Sequence, residues 1–213
     1  MQSTILDYNY KKFNFLKFFK NNQRIDNINY YFKNYPKSYI TAKIDIIKKK
    51  KTFLIAYKKF IKEEIQKLFN FEIVFQKQPN IRLLYPNDVE GAVPYHCDKW
   101  YHHSSDEINF WLPLHNVSKS ESLQIVNLDH SKKLIKKILK EKLDYNEINK
   151  LISIYAKPVI CDYGKMLKFS PLHLHGNVTN RTEFPRLSID FRVKKLNSKF
   201  ESKTLGGYFE IVK

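Results

Sequence analysis

His96 and Asp98 lie two residues apart in the stretch YHCDKW, a spacing that suits a metal site. If this stretch is a β-strand, both side chains point to the same face, so an imidazole and a carboxylate converge on one spot. A second imidazole would complete the two-histidine, one-carboxylate triad, which holds Fe(II) on one face and leaves other coordination positions open for oxygen chemistry. Two candidates lie downstream, His173 and His175, and by strand parity either could face the metal.

An arginine and a serine follow those histidines in a segment that alternates like a β-strand. Arg186 and Ser188 are two residues apart and therefore share a face. Only five of the 38 basic residues are arginines, so lysine supplies the ordinary surface charge. An arginine near the histidines is therefore a candidate for planar, bidentate recognition of a carboxylate.

Hydrophobic periodicity indicates a chain that mixes helices and strands. Residues 41–69 predict an amphipathic helix, broken once, with an apolar stripe formed by Ile47, Phe53, Leu54, Tyr57, Ile61, Ile65 and Leu68. The poorly periodic residues 1–37 predict short helices and loops. Short strands are predicted at residues 72–77, 81–85, 107–114, 122–126, 157–162, 165–170 and 185–193, and helices at 131–142 and 145–154. This order favours an antiparallel barrel or jelly roll.

The composition is that of a globular protein, with 43% hydrophobic and 15% aromatic residues. The net charge of +17 is spread along the chain, so it favours solubility and an anionic small molecule over nucleic acid as partner. The two cysteines, Cys97 and Cys161, define no disulfide framework and fit a reducing cytoplasm. We expect neither a signal peptide nor a membrane-spanning segment, and nothing in the sequence indicates an oligomeric state.

Taken together, these motifs make the chain similar to the Fe(II)/2-oxoglutarate-dependent oxygenases. Within them it resembles the phytanoyl-CoA-dioxygenase-like group, in particular the branch found in bacterial carbohydrate and aminoglycoside biosynthesis clusters. The matching segments are HCD at 96–98, EINFWLPL at 107–114, SLQIV at 122–126, HGN at 175–177 and RLSIDFR at 186–192, and the match covers roughly residues 76–193. One departure is Asn127-Leu-Asp129, where the family usually has a Pro-Gly-Ser turn.

The resemblance implies an α+β fold with a double-stranded β-helix, or jelly-roll, core, an N-terminal helical layer and a helical insert. One oxygenase domain would span residues 1–213. Within it we expect the helical layer at 1–70, the jelly-roll core at 71–193 and a C-terminal tail at 194–213.

The resemblance also assigns roles to residues. The Fe(II) ligands would be His96, Asp98 and His175, because His175-Gly-Asn matches the family motif and lies eleven residues before Arg186, the family's spacing to the arginine that binds 2-oxoglutarate. The 2-oxoglutarate pocket would be formed by Arg186, Ser188, Asn109 and Trp111, and the substrate side by Tyr101, His103, His173 and Arg82. The expected reaction is hydroxylation of a small molecule such as a sugar or sugar-derived metabolite, with succinate and CO2 as coproducts.

Two other functions fit part of the pattern. A cupin-like jelly-roll protein that binds metal without turnover would keep the triad, but it has no need for Arg186 and Ser188 on the following strand. An oxygenase that acts on nucleic acid would explain the net charge of +17. Nucleic-acid binding would show a steep dependence on salt.

Overall fold

The computed structural model describes residues 1–9, 12–19 and 36–212. The remaining part of the predicted N-terminal layer, residues 10–11 and 20–35, lies outside the described residues. In the described part, two helices, α1 (Lys37–Lys49) and α2 (Lys51–Phe60), are separated by Lys50, whose backbone is extended. A π-helical turn (Ile61–Ile65) and a 3-10 turn (Gln66–Leu68) follow without interruption. The predicted helix with one break is therefore present.

The apolar face of this layer packs on a β-sheet. Phe53, Tyr57 and Phe60 are fully buried, and the rings of Tyr57 and Phe60 lie 5.6 and 6.1 Å from the ring of Phe191 in that sheet. Leu68, predicted on the same stripe, is exposed instead. The reason is geometric: the wider π turn and tighter 3-10 turn change the angle per residue and rotate Leu68 off the buried face.

The described strands, in chain order, are β1 (Thr4–Asp7), β2 (Ile73–Gln76), β3 (Asn80–Leu84), β4 (Ile108–Pro113), β5 (Gln124–Ile125), β6 (Lys157–Pro158), β7 (Lys165–Phe169), β8 (His175–Gly176), β9 (Arg186–Lys195) and β10 (Phe209–Ile211). Seven of them form one sheet in the order β1-β7-β4-β9-β2-β10, with β3 also paired to β9. A smaller sheet has the order β6-β5-β8. Neighbouring strands run antiparallel in both sheets. The predicted mixture of helices and antiparallel strands is therefore confirmed.

Strand β9 is the centre of the large sheet. Its ten residues pair with β4 along one edge, and with β3 and then β2 along the other. Almost every residue of β9 is buried, as expected for a strand covered on both faces. This strand carries Arg186 and Ser188 into the interior.

The helical insert is present between β5 and β6, as helices α3 (Leu128–Glu141) and α4 (Tyr145–Ser153). The side chain of Asn127 accepts a hydrogen bond from the backbone of His130 and caps α3. The unusual Asn127-Leu-Asp129 sequence thus begins a helix. No helix in the described ranges is both long and apolar enough to cross a membrane.

Three expectations about strands and termini differ from the structure. The N-terminal segment, predicted as helices and loops, supplies strand β1, and the predicted C-terminal tail supplies β10, which pairs with β2. The stretch around His96 is not a strand: His96 makes a single antiparallel bridge, and Asp98 begins a 3-10 helix that ends at Tyr101. These segments are too short for periodicity, and partners distant in sequence determine their conformation.

Candidate metal centre

His96 and His175 are brought together by their own backbones. The amide of His96 donates to the carbonyl of His175 at 2.9 Å, and the amide of His175 donates back at 2.8 Å. The other edge of His175 pairs with Ile125 of β5. As a result the two imidazole rings lie 4.4 Å apart between centroids.

The close contact between these two segments depends on Gly176. A Cβ atom at this position would lie 2.9 Å from the Cα and the amide nitrogen of Tyr95, and 3.0 Å from the carbonyl carbon of Pro94. These neighbours are backbone atoms and cannot rotate away. Glycine is therefore required for the close approach that juxtaposes the two histidines.

In each of the two imidazoles, Nδ1 is hydrogen-bonded to a backbone carbonyl. Nδ1 of His96 donates to the carbonyl of Pro94 at 2.8 Å, and Nδ1 of His175 donates to the carbonyl of His173 at 2.9 Å. A carbonyl only accepts hydrogen bonds, so each Nδ1 carries a proton, and in the neutral imidazole the free lone pair is then on Nε2. Both lone pairs are therefore available to a metal.

Asp98 completes the group with one of its two oxygens. Its Oδ1 lies 3.5 Å from Nε2 of His96 and 3.7 Å from Nε2 of His175. One donor atom from each of the three residues lies within 4.8 Å of the other two. Metal bonds of about 2.1 Å at right angles would put neighbouring donor atoms about 3 Å apart. A small contraction of this arrangement accommodates an octahedral metal ion.

The other oxygen of Asp98 is bound by protein donors. Oδ2 accepts from Nε of Arg192 at 2.9 Å, from Nη2 of Arg192 at 2.6 Å and from Nδ2 of Asn109 at 2.9 Å. Burial raises the pKa of Asp98, but the charge of Arg192 outweighs it and holds that pKa well below its usual range. Burial, and then the nearby His96 ring, lower the pKa of His175 to about 3. The resulting donor set, a carboxylate and two imidazoles, suits Fe(II).

Arg186 lines a pocket that is also lined by His96 and His175. Its side chain is buried, and among the described residues its Nε and Nη1 have no hydrogen-bond acceptor. The hydroxyl of Ser188 and the indole N–H of Trp111 likewise have none there. Burial, and then the charge of Arg82, lower the pKa of Arg186 to about 10. Buried donors of this kind normally have a partner, so they indicate a site for an anion.

The other predicted pocket residues have defined positions. Trp111 lines the pocket, with its ring 5.8 Å from the Arg186 guanidinium carbon. Asn109 lines it too, but its amide is directed at Asp98, so it supports a metal ligand as well as the pocket wall. Ser188 is fully buried on β9, opposite Arg82 of β3.

A second cleft adjoins the Arg186 pocket, and three of the four predicted substrate-side residues line it. They are Tyr101, His103 and Arg82, together with His96 and Asp98. His103 is oriented by Glu107, whose Oε2 lies 2.6 Å from its Nδ1. Arg82 donates from Nε to Oδ1 of Asp190 at 2.7 Å.

His173 lies elsewhere. Its side chain is fully buried and lines neither the pocket nor the cleft. Its Nδ1 is 3.1 Å from both the carbonyl and the amide nitrogen of Ser170, and burial lowers its pKa to about 4. The turn after β7 therefore places His173 apart from the other three residues predicted on the substrate side.

Sequence reasoning missed Arg192 and Asp190. Asp190 accepts hydrogen bonds from Arg82 and, at 2.8 Å, from Asn80, and Arg192 binds Asp98. The alternation of β9 could have found them. Arg186, Ser188, Asp190 and Arg192 are each two residues apart, so strand parity places Asp190 and Arg192 on the same face as Arg186 and Ser188.

In sequence, this chain is similar to part of a known biosynthesis protein. No family model matches the sequence. The streptomycin biosynthesis protein StrG of Streptomyces griseus is 26% identical over 121 residues, which covers 56% of this chain and 46% of that protein. The chain thus spans about half the length of this relative.

Two solved structures share the fold over nearly the whole chain. The non-heme monooxygenase ThoJ in its apo form superimposes with a TM-score of 0.54 and 10% identity, covering 98% of this chain and 80% of that one. HygX from Streptomyces hygroscopicus, solved with nickel and 2-oxoglutarate bound, gives a TM-score of 0.52 and 10% identity, covering 99% and 93%. The fold and the triad confirm the resemblance to the non-heme iron and 2-oxoglutarate oxygenases that the sequence predicts, and StrG agrees with the carbohydrate-cluster branch.

Proposed function

We propose that this protein is an Fe(II)- and 2-oxoglutarate-dependent dioxygenase that hydroxylates a small molecule. His96, Asp98 and His175 would hold Fe(II), and the two antiparallel sheets would form the double-stranded β-helix that carries them. When bound there, Fe(II) and 2-oxoglutarate would supply the activation of O2, so that one oxygen atom would enter succinate as CO2 is lost and the other would be inserted into a C–H bond of the substrate.

The unpaired guanidinium of Arg186 is the observation that carries this proposal. A buried arginine with two unpartnered donor nitrogens, Nε and Nη1, in the described structure is costly unless an anion completes it. Arg186 shares its pocket with His96 and His175. A dicarboxylate can satisfy both ends of that pocket, because one carboxylate and the adjacent keto oxygen reach the metal while the other carboxylate takes the fork of Arg186. Ser188 would add a hydroxyl donor, and Trp111 an indole donor and a pocket wall.

Such a pocket suits an enzyme better than a protein that only binds metal, since metal binding gives no reason to bury an unpaired arginine beside the triad. HygX, which shares the fold, was solved with 2-oxoglutarate bound.

The substrate would enter the second cleft, which Tyr101, His103 and Arg82 line together with His96. The net charge of +17 favours an anionic small molecule, and the match to a streptomycin biosynthesis protein favours a sugar-derived one. A cytoplasmic location fits the two buried, unpaired cysteines.

The test is a calorimetric titration of the anaerobic Fe(II) protein with 2-oxoglutarate, using wild type, Arg186→Lys, Arg186→Leu and the control Arg181→Leu. Arg181 is exposed and lies outside the pocket. Loss of the buried charged hydrogen bonds should weaken binding by about 2–5 kcal/mol in Arg186→Leu, which is about 30-fold or more. Arg186→Lys should also weaken it, because an ammonium cannot form the two-bond fork. Both variants should keep wild-type affinity for Fe(II).

A second readout follows from the same geometry. Because Arg186 is buried without an acceptor in the described structure, Arg186→Leu should raise the melting temperature of the protein measured without 2-oxoglutarate. Wild-type protein that binds Fe(II) but not millimolar 2-oxoglutarate would contradict the proposal and favour a metal-binding jelly roll. Tight binding to nucleic acid with a steep salt dependence would instead favour a nucleic-acid substrate.

A further inference from the structure

We infer that Arg192 is a positioning residue that restricts Asp98 to binding the metal through one oxygen, Oδ1. This inference rests on the proposed function only in assuming that the triad of His96, Asp98 and His175 holds a metal ion. The contacts of the two Asp98 oxygens are the observation that carries it.

The two oxygens of Asp98 have different surroundings. Oδ1 is directed at the Nε2 atoms of His96 and His175, 3.5 and 3.7 Å away. Oδ2 accepts three hydrogen bonds, two from Arg192 and one from Asn109. A carboxylate has about four lone-pair sites, about two on each oxygen. Three donors therefore leave Oδ2 no lone pair for a metal bond.

The pairing of strands β4 and β9 places the donor residues side by side. Asn109 of β4 and Arg192 of β9 are directly opposite one another in the antiparallel register. Side chains of opposite residues lie on the same face, so both reach the same oxygen of Asp98. Their convergence is thus built into the pairing of two buried strands.

Arg192 is also held from its far side. Its Nη1 lies 3.3 Å from Oε1 of Gln76 and 3.4 Å from Oδ2 of Asp190. Asp190 is fixed in turn by Arg82 at 2.7 Å and by Asn80 at 2.8 Å. A guanidinium held at both edges cannot follow the carboxylate if it rotates, so Asp98 is kept in one orientation.

One-oxygen binding matters for the proposed reaction. With three protein donor atoms, an octahedral ion keeps about three positions for the two atoms of the 2-oxoglutarate chelate and for O2. A second oxygen from Asp98 would occupy one of them. By holding Oδ2 away, Arg192 would keep the site open.

The alternative is that Arg192 only neutralises the charge of Asp98, and Arg192→Lys separates the two roles. Lysine keeps the positive charge but cannot form two parallel bonds to one carboxylate oxygen while binding Asp190. Arg192→Met removes both the charge and the donors; because it leaves Asp98 and Asp190 without that cation, it can fail to fold, and Arg192→Lys then carries the test. Arg181→Lys, in an exposed loop, is the matched control.

The experiment uses Mn(II) as the probe. Electron paramagnetic resonance measures its affinity for the full-length protein, and water-proton relaxation measures the number of exchangeable waters on the bound ion. We expect about three waters in wild type and Arg181→Lys, and one fewer in Arg192→Met, because Asp98 then binds through both oxygens. In Arg192→Lys we expect a loss of affinity of about 10- to 100-fold, the usual effect of removing a partner that orients a ligand.

The outcomes separate this inference from the proposed function. Wild-type protein that binds no Mn(II) would overturn both. Wild-type protein that binds Mn(II), with Arg192→Lys at the same affinity and the same number of waters, would overturn only the positioning role and leave Arg192 as a counter-charge. The affinity loss in Arg192→Lys, with wild-type behaviour of Arg181→Lys, would support it.

Discussion

Replacing Gly176 by alanine should damage the metal centre without touching any ligand. The added Cβ would lie 2.9 Å from two backbone atoms of Tyr95, and ordinary contact needs about 3.5 Å. One backbone must therefore move by about half an ångström. The segment that moves carries His96, whose backbone is paired with His175 by two hydrogen bonds.

The size of the effect follows from this displacement. Overpacking against rigid neighbours costs about 1–3 kcal/mol of folding stability. A shift of half an ångström reaches the tolerance within which metal ligands must be held, so the affinity for metal should fall about tenfold or more, equivalent to about 1.4 kcal/mol. Asn177 strengthens the expectation, because its backbone N–H donates to the carbonyl of Val93 at 2.7 Å and connects the same two segments.

The assay combines an anaerobic Fe(II) titration with urea unfolding of the metal-free protein. Gly207→Ala is the control, because its Cβ would meet the end of the Thr204 side chain, at 2.6 Å from Oγ1, which can rotate away. Gly207→Ala should therefore bind Fe(II) like wild type. If Gly176→Ala matches wild type in both iron affinity and stability, the argument that this backbone approach builds the site is refuted.

Three further outcomes are expected. Asp98→Ala should nearly abolish binding of Fe(II), measured as iron stoichiometry under anaerobic conditions, since the carboxylate is the charged ligand; equal stoichiometry in mutant and wild type would contradict the assignment. His175→Ala should lose the metal, whereas His173→Ala should keep it and lose folding stability, because His173 is fully buried and lines neither cavity; the reverse pattern would move the site by two residues. Burial raises the pKa of Cys97 to about 11 and of Cys161 to about 12, so at pH 8 the thiolate fraction of each should be at least about 100-fold below that of a free cysteine of pKa about 8.5. Native protein should then react with iodoacetamide at least 100-fold more slowly than urea-unfolded protein, and equal rates would show that these thiols are accessible.

Much of the site could be predicted from residue types and short spacings. Two histidines and a carboxylate form a recognisable donor set, and Arg186 stood out because arginine is scarce and because it alternates with Ser188. The structure brings His96, Asp98 and His175 together and puts Arg186 in the same pocket. The strand on which the parity argument for Asp98 depended is nevertheless absent, since Asp98 begins a 3-10 helix and is oriented by Arg192.

The long elements were predicted for a related reason. The buried stripe of α2 and the alternation of β9 each extend over enough residues for a period to be visible. Strands β1 and β10 have only four and three residues, and they form because β7 and β2 offer them paired edges. No local pattern of that length can distinguish such a strand from a loop.

By itself, the sequence therefore determined which groups could bind metal and a carboxylate, because donor chemistry belongs to the side chain and parity to neighbouring residues. Parity could not separate His173 from His175, and only the resemblance favoured His175; in the tertiary structure a turn and a backbone pairing place His175, and not His173, beside His96. The tertiary structure also decided which oxygen of Asp98 is free, because the donors that occupy the other one come from strands β4 and β9, and Arg192 is 94 residues away along the chain. Contacts across such separations depend on the register between strands, which is a property of the folded sheet.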